Sequence, residues 1–196
     1  MQYYFPCKPN ALSPDSPLLD ELDRSAEWVA EVKKNGWRAL PTKSDGGKFE
    51  LWTRHDTLIT EPSELAREAL SGMMPDGTIL DGEFIHYRTA TVKGRMYLFD
   101  IIMLEGKLLT DLPFRERRRI LESIVKETPM VELAKQVRVG KKSLYFQSIV
   151  GDENEGIVLK KLDARYFIST TKCLQNPYWL KVKKVENHIK VEGEAS

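Results

Sequence analysis

Glu31-Val32-Lys33-Lys34-Asn35-Gly36-Trp37-Arg38 is the stretch on which the fold reading turns. Residues 27–33, with Trp28, Val29 and Val32, predict a strand. The Asn-Gly pair predicts the tight turn that joins it to a second strand over residues 37–43. Taken alone, the stretch describes a surface hairpin with basic decoration. It also describes a lysine fixed at a strand end, beside a second lysine and ahead of an arginine, where neighbouring cations favour an uncharged, nucleophilic amine. The rest of the chain has to decide between the two.

Working outward, a second turn at Ser44-Asp45-Gly46-Gly47 leads into a strand over residues 48–53, extending the hairpin into an antiparallel meander. Upstream, prolines at 6, 9, 14 and 17 keep the start extended or looping before a short helix over residues 17–24, carrying Leu18, Leu19 and Leu22. Downstream, Pro62-Ser63-Glu64-Leu65 begins a helix with apolar positions at Leu65, Ala66, Ala69 and Leu70 and a stop near Gly72. Strands follow at 78–86 and 95–104, with a hairpin marked by Lys93-Gly94 between them and Glu105-Gly106 closing the second. A helix over residues 113–126 turns Ile120, Leu121, Ile124 and Val125 inward and Arg115, Arg117, Arg118 and Arg119 largely outward. A strand near 130–139, a helix near 142–150 and strands at 156–161 and 178–184 complete the chain. The sequence therefore predicts an antiparallel-sheet-rich α+β domain over residues 27–184, with an extended and briefly helical lead-in at 1–26 and a short polar tail at 185–196.

A chain of 196 residues is long enough to bury a core, and 41% hydrophobic with 30% charged residues is a globular profile. The net charge of +1 neither demands nor excludes nucleic acid. Cys7 and Cys173 make neither a disulfide framework nor a zinc site. No apolar run has the length of a membrane span, and the first residues lack the pattern of a signal peptide. A reducing cytoplasmic setting, without a membrane, is expected.

Five further stretches carry chemistry. Asp81-Gly82-Glu83 puts carboxylates in an apolar strand, either facing solvent or with one pointing into a metal-binding cleft. Phe99-Asp100 offers a core aromatic or a ligand platform, and Trp52-Thr53-Arg54 ends a strand on a cation. Glu155-Gly156-Ile157-Val158-Leu159-Lys160 runs from a carboxylate to an ammonium. In Trp179-Leu180-Lys181-Val182-Lys183 the alternation places Lys181 and Lys183 on one face. Two lysines there repel unless an anion lies between them, and phosphate is the natural anion.

In this order, the stretches resemble the motifs of the nucleotidyltransferase superfamily of ATP-dependent polynucleotide ligases and messenger-RNA capping enzymes. Lys33-Lys34-Asn35-Gly36-Trp37-Arg38 is similar to its Lys-x-Asp-Gly-x-Arg motif, and the likeness spans about residues 27–184. The run from Phe99 to Arg118 closely resembles the Phe-Asp-Leu-Leu, Asp-Gly, Leu-x-x-Leu-Pro, Glu-Arg-Arg run of ATP-dependent DNA ligases. Trp52-Thr53-Arg54, ahead of Ile59-Thr60, is similar to the ligase Ser/Thr-Arg element. DNA ligase is favoured over RNA ligase and over RNA-capping nucleotidyltransferase. A catalytically idle nucleotide- or nucleic-acid-binding module is the alternative of another class.

The resemblance implies an ATP-grasp-like nucleotidyltransferase domain in which Lys33 attacks the α-phosphate of ATP and becomes lysyl-AMP. Lys181 and Lys183 would neutralise charge building on that phosphate. Glu83 and Glu155 would contact the ribose or hold Mg²⁺ (or Mn²⁺), and Lys160 closes the same motif as Glu155 in the ATP/AMP-binding set. Phe99 would stack on adenine, and Glu31, through backbone or carboxylate, would read the base edge. Arg38 and Arg54 would meet the ribose and the 5′-phosphate of nicked duplex DNA. Two departures stand out. Asn35 replaces the usual Asp, keeping the turn chemistry and losing a charge. Residues 185–196 lie where family members normally continue into an OB-fold domain, so the expectation is slow self-adenylylation and poor sealing unless that domain or a partner protein supplies what is missing.

Overall fold

A computed structural model describes residues 2–60, 64–85, 94–138, 140, 142, 146–147 and 154–183. Its elements run β1 (Lys8–Ala11), α1 (Pro17–Arg24), β2 (Trp28–Lys34), β3 (Trp37–Lys43), β4 (Phe49–Thr53), α2 (Glu64–Met73), β5 (Thr78–Ile85), β6 (Arg95–Leu104), β7 (Lys107–Leu108), α3 (Phe114–Ile124), β8 (Val131–Leu133), β9 (Gln136–Val137), β10 (Asn154–Lys161) and β11 (Gln175–Lys183). The strands form two sheets, one ordered β1-β11-β10-β2-β9 and the other β4-β3-β5-β6-β7 with β8 beside β6. Pairing is antiparallel except at β1–β11 and β6–β8, so the α+β reading holds.

Alternation explains the layering. In β2, Ala30 and Val32 point one way; with Ile157, Leu159, Leu180 and Val182 they cover Leu19 and Leu22 of α1. The other face of that sheet meets the second sheet through Cys7 and Trp179 against Leu40, Ile79 and Ile102. The far face of the second sheet, including Leu80, Phe84, Met96 and Leu98, packs on Leu70 of α2 and Leu121 of α3. Each fully buried side chain of this size contributes about 1.5–3 kcal/mol, so three such layers of contact hold both sheets in place. Ser16 precedes Pro17 at the start of α1, where the missing proline N–H costs no hydrogen bond.

Four expectations need correction. The Asn35-Gly36 turn does not close a hairpin: β2 pairs with β10 and β9, while β3 pairs with β4 and β5, so the chain steps from one sheet to the other at this turn. A Cβ on Gly36 would lie 2.5 Å from the Phe84 carbonyl oxygen, so close passage along the second sheet requires glycine there. The single strand expected near 130–139 is two short strands, β8 in the second sheet and β9 in the first. Leu65 of α2 is 63% exposed, and Ala66 and Leu70 carry the buried face. In α3, Arg117 and Arg118 point inward rather than outward, because buried carboxylates await them. The helix expected near 142–150 lies largely outside the described residues, as do His86, the β5–β6 connection at 86–93 and the tail.

Candidate functional site

The cleft between the sheets is built on a register. Across β2, β10 and β11, cross-strand neighbours fall into rows on one face: Val29, Lys160 and Trp179; then Glu31, Val158 and Lys181; then Lys33, Gly156 and Lys183. Strand periodicity puts Glu31 and Lys33 on the same side, as it does Trp179, Lys181 and Lys183. The opposite wall comes from the second sheet, where Arg38 pairs with Glu83 and Glu83 with Tyr97. Between the walls lies a cavity of about 780 Å³, within the range of small-molecule sites. Glu31, Lys33, Arg38, Arg54, Glu83, Phe99, Glu155, Lys160, Lys181 and Lys183 all line it. Residues as far apart in sequence as Glu31 and Lys183 are thus gathered on one surface.

At one end, the Lys33 ammonium lies 2.6 Å from Glu155 Oε2, and the Lys183 ammonium reaches the same oxygen at 2.8 Å. Strict alternation would send Glu155 to the wrong face. A register shift between Asn154 and Gly156 turns it into the cleft, with Gly156 at φ +148°. A Cβ at Gly156 would lie 2.0 Å from the Val182 carbonyl oxygen, so backbone angle and space both demand glycine. Burial works to raise the Glu155 carboxyl, but the Lys183 and Lys33 contacts outweigh it and hold it below the usual carboxylate range. Glu83 behaves oppositely: burial pushes it up to about 7, and Lys33 and Arg38 only partly offset that.

Arg38 is committed within the protein. Its Nε and Nη2 donate to the two oxygens of Asp81, each at 2.5 Å, and Tyr166 also donates to Asp81. Burial opposes the Arg38 charge, and Asp81 overrides it, holding the guanidinium firmly charged. Much of the fork expected to face ribose or nick phosphate is therefore already engaged, with the guanidinium carbon 4.7 Å from the Phe99 ring centre. Arg54 stands at the exposed mouth, hydrogen-bonded to His55. At the other end, Lys160 lies 2.7 Å from Glu31 Oε2, both 2% exposed. Lys181 lines the cleft in the row of Glu31.

The sequence reading assigned no role to Asp81, Tyr166, Gln136 or Arg118. A buried carboxylate in an apolar strand needs a cation, which is the signal that Asp81 offered. Tyr166 and Gln136 lie in local sequence with nothing to mark them. Among the described residues no group of three or more acidic, histidine or cysteine side chains could hold a metal. The two carboxylates Glu83 and Glu155 still fit a Mg²⁺-type cation, which takes one or two protein carboxylates and keeps waters and phosphate oxygens as its other ligands. No described helix is long and apolar enough to cross a membrane.

Residues 88–183 match the family model for the ATP dependent DNA ligase domain. A DNA ligase of Methanocorpusculum labreanum is 37% identical over 88% of this chain and 35% of its own length. A DNA ligase of Thermoplasma volcanium is 28% identical over 90% of this chain and 36% of its own length. This chain therefore spans about a third of those proteins. A mycobacterial DNA ligase D complexed with ATP has the same fold, with a TM-score of 0.66 and 20% identity over 91% of this chain and 60% of that one. By its matched residues and its relatives the chain is similar to ATP-dependent DNA ligases, and it has the fold of a DNA ligase nucleotidyltransferase domain.

Proposed function

We propose that this domain activates nicked DNA for sealing, starting from ATP. The amine of Lys33 forms a bond to the α-phosphorus as the bond to pyrophosphate breaks, leaving lysyl-AMP. The ammonium must first give up its proton to solvent, leaving a neutral amine whose place in the cleft Glu155, 2.6 Å away, would fix. AMP then passes to the 5′-phosphate of a nick in duplex DNA, and the 3′-hydroxyl displaces it to close the strand.

The observation that carries this reading is the row Lys33, Gly156, Lys183, with Glu155 turned in beside it. It sets the lysine that would be the nucleophile and a second cation on one edge of a nucleotide-sized cavity. Lys181 and Lys183 would take up charge on the phosphate as it builds in the transition state. Glu83 and Glu155 would hold a divalent cation, whose contribution is to screen the phosphate oxygens. Arg54, at the mouth, would meet the phosphate of the nick, and Phe99, which lines the cleft, would lie against the base.

The test is intact mass after incubation with ATP and Mg²⁺. The expected product is the chain plus one adenylyl group, removed by pyrophosphate and absent in Lys33→Met. No adduct on the unaltered chain would favour an idle binding module. An adduct from GTP in preference to ATP would point to capping chemistry, and transfer to nicked RNA over nicked DNA to an RNA ligase.

A further inference from the structure

Two side chains from the first sheet's part of the chain reach across the mouth of the cleft to the end of β4. The Tyr3 hydroxyl donates to the Thr53 carbonyl oxygen at 2.6 Å, and the Cys173 thiol, a weaker donor, points to the Arg54 carbonyl oxygen at 3.6 Å. Phe5, just after Tyr3, bridges to Ser169, and the Lys8 N–H bonds to the Leu174 carbonyl, next to Cys173 and just ahead of β11. The Tyr3 ring is wedged in place, its centre 5.0 Å from that of Phe5 and 6.0 Å from that of Trp52. Burial pushes its phenol up to about 12, so it stays a donor at ordinary pH. The two carbonyls are consecutive. The peptide planes on either side of Arg54 are therefore both anchored, and φ and ψ of Arg54 are the only soft torsions between them. The turn beyond is closed by Thr53 N–H to the Thr57 carbonyl at 2.8 Å and Asp56 N–H to the Thr53 carbonyl at 3.3 Å. Exposed loops ordinarily move more than the strands they join, yet this one is held from the opposite wall. Arg54 Nε donates to His55 Nε2 at 3.0 Å, while Nη1 and Nη2 make no hydrogen bond among the described residues. Paired guanidinium donors of that kind match two oxygens of one phosphate.

We propose that Tyr3, aided by Cys173, is a positioning residue that fixes Arg54 for the 5′-phosphate of the nick, so that the first residues of the chain help to build that subsite. The inference rests on the ligase reading above, which gives Arg54 that phosphate. An arginine is worth most to a phosphate when its planar fork is already set, since less freedom is lost for each hydrogen bond formed. Without the Tyr3 hydroxyl, the peptide ahead of Arg54 can turn, and the fork swings out into solvent as a mobile, screened charge. The loss falls on recognition of the terminal phosphate, not on the remainder of the duplex.

The experiment measures equilibrium binding of two nicked duplexes, alike except for a 5′-phosphate or a 5′-hydroxyl at the nick, to the full chain carrying Lys33→Met, which cannot form an adduct. The readout is the ratio of the two dissociation constants, in which contacts to the rest of the duplex and any general loosening of the chain cancel. Tyr3→Phe, which removes only the hydroxyl, should cut the preference for the phosphate by about tenfold, the scale of one charge-assisted hydrogen bond. Cys173→Ala should lose part of the preference, and Cys173→Ser, which keeps a donor, should retain more of it. On an Arg54→Ala background Tyr3→Phe should change nothing further. An unchanged ratio in Tyr3→Phe overturns the proposal, as does a loss that persists in full without Arg54, or a parent chain that does not distinguish the two duplexes. Should Tyr3→Phe not fold, Cys173→Ala decides in its place by the same outcomes. A phosphate preference that depends on Tyr3, with no adduct on Lys33 of the unaltered chain, defeats the ligase reading and leaves this one standing.

Discussion

Arg117 and Asp100 form a two-pronged ion pair in which neither side chain has any solvent exposure: Nε donates to Oδ1 at 2.8 Å and Nη2 to Oδ2 at 2.9 Å. The pair ties α3 to β6 at the residue next to Phe99, and Arg117 Nη1 also holds the Leu112 and Ala164 carbonyls. Removing one member strands the other in the core, which costs about 3–5 kcal/mol. Arg117→Leu should therefore lower the melting temperature by roughly 6–20 °C at about 2–4 °C per kcal/mol. Arg117→Leu with Asp100→Leu should recover part of that loss. A melting temperature within two or so degrees of the parent for Arg117→Leu alone contradicts the account.

Glu83 gives a pH signature. Its carboxyl titrates near 7 in the folded chain, against 4.5 for the ordinary side chain. Between those values the folded state binds more protons than the unfolded one, so this group's contribution to stability falls as pH rises from about 4.5 through 7. Glu83→Gln should then gain on the parent by an amount on the order of 2–3 kcal/mol at most between pH 5 and pH 8. Denaturant midpoints of both proteins across that range decide it. A constant difference would show that Glu83 is not raised.

Gly156 sets where Glu155 points. Adding one methyl meets the Val182 carbonyl and forces an L side chain to φ +148°. Overpacking and backbone strain each cost about 1–3 kcal/mol, so Gly156→Ala should destabilise by about 3 kcal/mol. It should also separate Glu155 from Lys33 and Lys183. Urea unfolding reads the first effect, and adduct formation per folded molecule reads the second. An unaltered urea midpoint is incompatible with the bulge.

The two cysteines should differ sharply towards thiol reagents. Cys7 has no exposure, accepts a hydrogen bond from Asn176 Nδ2, and burial pushes its thiol up to about 11. Cys173 lines the cleft near its mouth, its Sγ 3.6 Å from the Arg54 carbonyl oxygen. A maleimide at pH 7.5 should label Cys173 and leave Cys7 until the chain unfolds, because the thiolate is the reactive form. Cys173→Ser should abolish the labelling of the native chain. Equal labelling rates at both positions would show that Cys7 is not sealed in.

Element type was readable where periodicity was strong. Residues 17–24 and 95–104 have the expected limits as α1 and β6, since a proline start and a long apolar run leave little choice. Partnership was not readable. Asn35-Gly36 is a good local turn, and whether the strands flanking it pair depends on what β10 and β5 offer from far along the chain. The arginines of α3 show the same limit: polarity placed Arg117 outside, and only the buried Asp100 explains why it is inside. The cleft residues were legible through the order of motifs that resembles the ligase family; strand spacing by itself put only Lys181 and Lys183 on one face, and Glu155 departs from it at the bulge. Tyr166, Gln136 and Arg118 touch the cleft residues Arg38 and Glu31 through tertiary contacts, for which no spacing exists.

The step at Asn35-Gly36 has a mechanical consequence. Lys33 and Arg38 are near neighbours in sequence, yet they stand on opposite walls, and no strand pairing joins the walls among the described residues. Lys33, Glu155, Lys183, Glu31 and Lys160 belong to one sheet; Arg38, Glu83 and Phe99 belong to the other. A small rotation of one sheet against the other leaves the charge pattern on each wall intact and alters only the gap between them. A nucleotide spanning that gap, as proposed above, would brace the two sheets against each other.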